Sequence, residues 1–158
     1  MPKSTRNMGK GFTKAGREAL LSEPRFGILS VARAERGPVA VPIWHRWDQA
    51  TGELRFTSGI STKKGEALVR EGRASFTVMD DVGGYVSLEG PVVHDDEYDF
   101  DLELVGTALR YMPHEGEDYV RAAYMNKGKP WPGIVLWRIK AEHWLTFDRA
   151  ETLLAHEK

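Results

Sequence analysis

Cysteine is absent from the 158 residues, which excludes disulfide bridges, thiol nucleophiles and thiolate metal sites together. Long apolar runs are missing as well, so no segment reads as a membrane span and the first residues lack the apolar stretch of a signal peptide. Neither sign of charge dominates: 22 Lys and Arg stand against 23 Asp and Glu, a net charge of −1. A dedicated nucleic-acid binder carries a strongly basic face instead. Five histidines (His45, His94, His114, His143, His156) are scattered without ligand spacing, which speaks against a metal centre. The acidic run 95–101 lacks the ligand period of a calcium loop. No Gly-x-Ser-x-Gly elbow supports serine hydrolysis. A cytoplasmic location fits this set of absences.

With 41% hydrophobic and 28% charged residues, what is present suits one compact domain. Residues 1–11 are basic, polar and glycine-containing and read as a flexible tail. Residues 12–149 form the domain, and 150–158 read as a loose charged tail. Thr13 caps a short helix over 14–21 that Pro24 ends. An apolar strand over 26–33, a turn at 35–38 and a strand over 39–47 follow. In the second strand Val41, Ile43, His45 and Trp47 point one way, and Ala40, Pro42, Trp44 and Arg46 the other. Pro42 cannot donate to a ladder, so it marks an edge, a bulge or a place where something approaches the backbone. The pattern continues with a strand over 53–58, a helix capped by Ser61 and stopped at Gly72, and a strand over 73–79. A strand over 85–93 bends at Gly90-Pro91. Two helical pieces, 96–112 and 116–126, are broken at Pro113, and strands over 134–141 and 143–147 complete the chain. Five to seven strands at hairpin spacing with few helices predict a small antiparallel barrel rather than an alternating βαβ sheet.

One stretch concentrates the polar chemistry. Thr57, Ser58, Ser61, Thr62, Lys63 and Lys64 gather around the expected start of a helix. The first turn of a helix leaves backbone N–H groups unpaired and carries partial positive charge. Hydroxyls and lysines there supply donors and charge for a phosphate. Two lysines in a first turn oppose the helix dipole unless an anion sits between them. An ordinary serine cap flanked by two solvated lysines explains the same residues, and the glycine spacing is not that of a P-loop. Along Pro42-Ile43-Trp44 a planar ring can lie against backbone and aromatic surface; a well-packed core strand is the competing reading. His45 is a candidate proton donor or substrate contact, against a structural role on a half-buried strand.

Several segments match one known family in order and spacing. They are Val41-Pro42-Ile43-Trp44, Gly52-x-Leu54-x-Phe56-Thr57, Ser61-Thr62-Lys63-Lys64 leading to Leu68, and Arg70-Glu71-Gly72-Arg73. Leu88-Glu89-Gly90, Leu109-Arg110-Tyr111 and Arg138-x-x-x-x-His143-Trp144 complete the set. Through them, residues 26–147 resemble the pyridoxamine 5'-phosphate oxidase-like split-barrel flavoproteins, nearest the actinobacterial branch that uses deazaflavin coenzyme F-420. The resemblance implies a mostly β (α+β) fold: a split β-barrel of the FMN-binding type, an antiparallel Greek-key barrel with peripheral helices. It also implies a homodimer with interfacial cofactor sites, and an oxidoreductase passing hydride to a small unsaturated or conjugated organic substrate.

Carried over residue by residue, Lys64 holds the ribityl phosphate with Lys63, Ser61 and Thr62. Thr57 and Ser58 contact the ribityl chain or phosphate, Pro42, Ile43 and Trp44 line the isoalloxazine, and Trp144 of a second subunit stands near the ring. No catalytic residue is implied. FMN shares the ring–ribityl–phosphate portion and is the alternative cofactor. Two departures stand out. The family's usual Asn-Leu and Asp-Pro are Ala67-Leu68 and Glu71-Gly72 here, and the vitamin-B6 recognition segment is not evident, so vitamin-B6 oxidation is not expected. From a different functional class, the alternative is a non-catalytic split barrel that sequesters or senses flavin, haem or a related ligand.

Overall fold

Strands of this chain alternate apolar and polar residues, and burial follows with a period of two. Leu54, Phe56 and Ser58 turn inward from one strand, Ala74, Phe76 and Val78 from another. The computed structural model describes residues 9–156. Its elements begin with α1 (Lys14–Ser22), β1 (Gly27–Arg33), β2 (Arg36–Ile43), β3 (Arg46–Asp48), β4 (Glu53–Gly59) and α2 (Lys63–Glu71). β5 (Arg73–Met79) and β6 (Tyr85–Asp95) precede a π-helical turn, Asp101–Val105, that runs into α3 (Gly106–Tyr111). α4 (Gly116–Tyr124), β7 (Met125–Asn126), β8 (Lys129–Pro130), β9 (Ile134–Lys140), β10 (His143–Phe147) and α5 (Arg149–His156) complete the chain.

The main sheet runs β2-β1-β5-β6-β9-β4-β3, with β10 added to β6. Its terminal strands β2 and β3 are consecutive in sequence. The sheet therefore curls until its two ends are joined by the covalent link Trp44–His45 instead of by a ladder. The result is a split barrel, mostly antiparallel β with peripheral helices, the fold class that the sequence predicts. Pro42 lies on β2, an edge strand, where a missing donor is tolerated.

The long strand β6 makes the curl possible. Its first half, Tyr85–Glu89, lies between β5 and β10, whereas Val92–Asp95 pairs with β9. The change of partner falls at Gly90-Pro91, where the sequence predicts a bend. A Cβ on Gly90 would sit 1.7 Å from the Lys140 carbonyl oxygen, so only glycine lets the backbones approach there. Gly90→Ala is expected to lower stability by about 2 kcal/mol through overpacking, read as a lower denaturant midpoint with an unchanged slope.

Most of the core fills the barrel, with Leu29, Phe56, Phe76, Trp137 and Ile139 at its centre and Leu20 and Leu21 of α1 closing one end. A smaller cluster, Leu104, Val105, Ala108 and Val120, holds the α3–α4 hairpin together.

Five local details differ from the sequence expectation. The strand expected over 39–47 is two strands: β2 ends at Ile43 and β3 begins at Arg46, so its halves lie on opposite edges of the sheet. The helix expected over 96–112 begins at Asp101, because the Asp99 side chain accepts from Leu102 N at 3.0 Å and starts the turn there. The cap of α2 is Thr62 rather than Ser61: its hydroxyl accepts from Gly65 N at 3.1 Å. The helix expected over 116–126 ends at Tyr124, and Met125–Asn126 enter the β7–β8 hairpin. The segment expected as a loose C-terminal tail is largely helix α5. Asp148 accepts from Glu151 N at 3.1 Å, and it bridges to Lys10, whose N–H donates to Thr152, so both expected tails are tied where they meet. Residues 1–8 and 157–158 of those tails lie outside the described residues.

Candidate functional site

The split leaves an opening between two strand ends. β3 pairs only with Glu53–Arg55 of β4, so Thr57–Gly59 have β9 on one side and no strand on the other. The end of β2 and the link after it, Pro42, Ile43 and Trp44, face that open edge across a cavity of about 450 Å³.

The first turn of α2 closes the cavity's base. Thr62 donates its hydroxyl to Gly59 O at 2.8 Å while accepting from Gly65 N, which ties the helix start to the end of β4. Gly65 allows this close seating, since a Cβ there would lie 2.4 Å from Ile60 O. With the helix starting after Thr62, Lys63 and Lys64 diverge by about 100° around its axis. Lys64 lines the cavity and is half-buried, and Lys63 is exposed. Burial alone pushes the Lys64 ammonium below its ordinary value, with no carboxylate to offset it. A half-buried cation without a counter-charge, beside free helix amides, is a place for an anion.

The roof comes from the π-turn and the two helices after it: Leu104 and Thr107 on one side, Tyr119, Val120 and Tyr124 on the other. Trp44 stacks on Tyr111, with centroids 5.1 Å apart and planes 7° apart, and lies 6.0 Å from Tyr119. No carboxylate and no histidine lines this cavity. The site is rich in hydrogen-bond donors and aromatic surface, a composition suited to a planar ligand bearing acceptor oxygens.

His45 faces the other way. It is 0% exposed, its Nε2 lies 2.8 Å from Leu21 O and its Nδ1 3.0 Å from the Tyr111 hydroxyl. Burial first, and the nearby Arg110 charge, lower its pKa to about 4 against the pull of the Leu21 carbonyl. It is a neutral latch between α1, the β2–β3 link and α3, and it does not reach the cavity.

The cavity thus gathers Pro42, Ile43, Trp44, Thr57, Ser58, Thr62 and Lys64 from the candidates that the sequence singles out. Ser61 and Lys63 are exposed beside it. Trp144 does not line the cavity of its own chain: it stands edge-on to Trp47 at 5.8 Å, under the Arg17 guanidinium at 4.1 Å. Leu104, Thr107, Tyr119, Tyr124 and Ile134 escape a reading of the sequence. Their neighbours in the chain describe only amphipathic helices and a strand start, and nothing local says which face meets a cavity. Among the described residues no group of three His, Cys, Asp or Glu side chains is arranged to hold a metal ion, and no helix is long and apolar enough to cross a membrane.

Fold and cavity together define a split-barrel protein with a donor-rich, aromatic-lined cavity at the barrel's opening. Among solved structures, a conserved hypothetical protein of Mycobacterium tuberculosis is similar, at 23% identity over 87% of this chain and 85% of that one, with a TM-score of 0.69. An F420 reductase matches at 20% identity over 82% of this chain and 96% of that one, TM-score 0.57. A pyridoxamine 5'-phosphate oxidase-related, FMN-binding protein from Nostoc punctiforme matches at 13% identity over 82% and 77%, TM-score 0.55. No protein-family model and no curated protein matches the sequence.

Proposed function

We propose that the cavity holds the ring–ribityl–phosphate portion of a flavin-type coenzyme, deazaflavin coenzyme F-420 ahead of FMN. The protein is then an oxidoreductase that passes hydride to a small unsaturated or conjugated organic substrate. The observation that carries this reading is Lys64, a half-buried ammonium with no carboxylate contributing to its environment, at the open first turn of α2. A phosphate there supplies the missing counter-charge and sits favourably at a helix start. In this reading Lys64 and Thr62 hold the phosphate, Thr57 and Ser58 flank the ribityl chain, and Pro42, Ile43 and Trp44 border the ring. Lys63 and Ser61, on the exposed side, add charge and solvation rather than contact.

A reduced coenzyme of this type supplies a hydride. The chain's own part is to position and to exclude water: Leu104, Val120 and Ile134 present apolar surface to the cavity. The preference for deazaflavin is supported by the likeness to an F420 reductase whose chain is covered almost throughout. A cytoplasmic location belongs to the same reading.

A homodimer is supported by the outer face of the sheet. The register lines up Pro42, Ile28, Thr77, Ser87 and Leu145 as one row across five strands. No charge interrupts that row, and Ile28, Leu145 and neighbouring Met79 are 42%, 66% and 61% exposed. Pro42 ends the row and also lines the cavity, so a second copy seated on this face would border the ligand.

The test is a fluorescence titration of FMN and deazaflavin, side by side, into the wild-type protein and Lys64→Ala. The variant is expected to lose about 1–3 kcal/mol of affinity, roughly 5- to 150-fold. Equal affinity in both proteins removes the phosphate assignment. Turnover with a panel of unsaturated acceptors separates a reductase from a module that only sequesters its ligand.

A further inference from the structure

At the split the chain leaves the sheet for two residues, Trp44 and His45, between the end of β2 and the start of β3. No ladder fixes the backbone there. The end of α3 holds it instead. Arg110 Nη1 donates to His45 O at 3.1 Å, and His45 N donates to the Tyr111 hydroxyl at 3.2 Å. The same hydroxyl donates to Arg25 O at 2.7 Å, and Arg110 Nη2 donates to Ser22 O at 2.5 Å. Arg110 and Tyr111 thereby tie the link to the end of α1 and the residues just after it.

The Tyr111 ring does not line the cavity, yet two aromatic side chains that do line it lie against that ring. Trp44 stacks on it almost in parallel, and Phe26 is tilted at 45° with centroids 5.5 Å apart. Because Trp44 stands outside the sheet, strand register does not set the plane of its indole; the stacking partner does. We infer that Tyr111 is a positioning residue: from behind the cavity wall it sets the plane of Trp44, against which a planar ring lies. The inference rests on the flavin-type reading for what occupies the cavity. It adds a division of labour: ring affinity depends on the end of α3, and phosphate affinity on the start of α2. Ring stacking is directional, so an indole free to turn loses part of its contact with a flat ligand.

Riboflavin and the phosphate-free form of the deazaflavin probe the ring without its anion. Inorganic phosphate, competing against FMN, probes the anion site alone. Tyr111→Leu removes the stacking partner and is expected to weaken both phosphate-free ligands about three- to tenfold, with phosphate affinity unchanged. The same substitution made in a Trp44→Leu background should cost nothing further, because its effect passes through Trp44. Tyr111→Phe keeps the ring and drops the hydroxyl. Its expected loss is about two- to threefold, again only while Trp44 is present, which keeps the inference testable should the leucine variant not fold. Equal riboflavin affinity in wild type and the Tyr111 variants overturns the inference and leaves the coenzyme reading standing. So does a loss that phosphate shares in full, or one that persists without Trp44, since either makes Tyr111 a general support of the fold. A wild-type protein that binds neither FMN nor riboflavin overturns both. Lys64→Ala has the opposite signature, weaker phosphate with riboflavin unchanged, so the two assignments fail separately.

Discussion

Glu103→Gln is expected to destabilise the protein by about 3 kcal/mol, the low end of what breaking a buried ion pair costs. The Glu103 side chain is 3% exposed, and one of its oxygens accepts from Arg46 Nη2 at 2.7 Å and from Arg55 Nη2 at 2.5 Å and Nε at 3.1 Å. Two cations converge on one carboxylate, and neutralising it leaves both facing each other. Arg46 has little slack, since its Nε is already buried without a partner. The low end is chosen because the arginine side chains are 23% and 17% exposed and water relieves part of the charge.

The network continues from Arg55 to Glu53 at 3.4 Å, from Glu53 to Arg138 at 3.0 Å and on to Asp95 at 2.7 Å. It therefore pins the π-turn to β3, β4, β6 and β9. Leu104, next to Glu103, and Thr107 line the cavity, so the roof should loosen with the pair. Urea unfolding at neutral pH measures the loss, and a change below about 1 kcal/mol would show that the pair is no anchor.

The second large effect concerns acid. Histidine in the unfolded chain takes its proton near 6.5, and His45 in the folded protein near 4. Between these values the unfolded chain binds more protons, so stability falls as pH drops from about 6.5. The contribution is complete above that pH and lost once pH falls through 4, on the order of 3 kcal/mol in all. The depressed carboxylates Asp48, Asp81 and Asp95 lose their contributions below the ordinary carboxylate range, which leaves the interval from 6.5 to 4 mainly to His45. Denaturant midpoints at pH 7 and pH 4.5 for wild type and His45→Gln provide the check. The variant is expected to be less stable at pH 7, because Leu21 O and Tyr111 lose their partner, and its stability should change much less between the two pH values. Parallel profiles for both proteins would sink the assignment.

His45 also illustrates how a residue can be placed correctly and still be read in two ways. Alternation along 39–47 puts it on the face of Val41, Ile43 and Trp47, and the structure keeps that alternation through the break at Trp44–His45. Whether that face was core or pocket depended on Leu21 and Tyr111, which lie 24 and 66 residues away. Lys64 shows the same division on a smaller scale. Local sequence marks a helix start with two lysines; choosing between them required knowing that Thr62, not Ser61, accepts the capping bond.

What the sequence by itself determined is most of the strands, though not the split of 39–47 into β2 and β3, together with the bend at Gly90-Pro91 and the cationic start of α2. These depend on the period of side-chain direction, on glycine and proline geometry and on helix ends, all carried by residues close together in the chain. Only the tertiary structure decided that the ends of β2 and β4 face each other across an opening. It also decided that Glu103 is the buried partner of two arginines, and that Tyr119 and Tyr124 wall the cavity. Those outcomes depend on sheet register and on helices packed over strands tens of residues distant, where burial and charge pairing choose among faces that local pattern leaves equivalent.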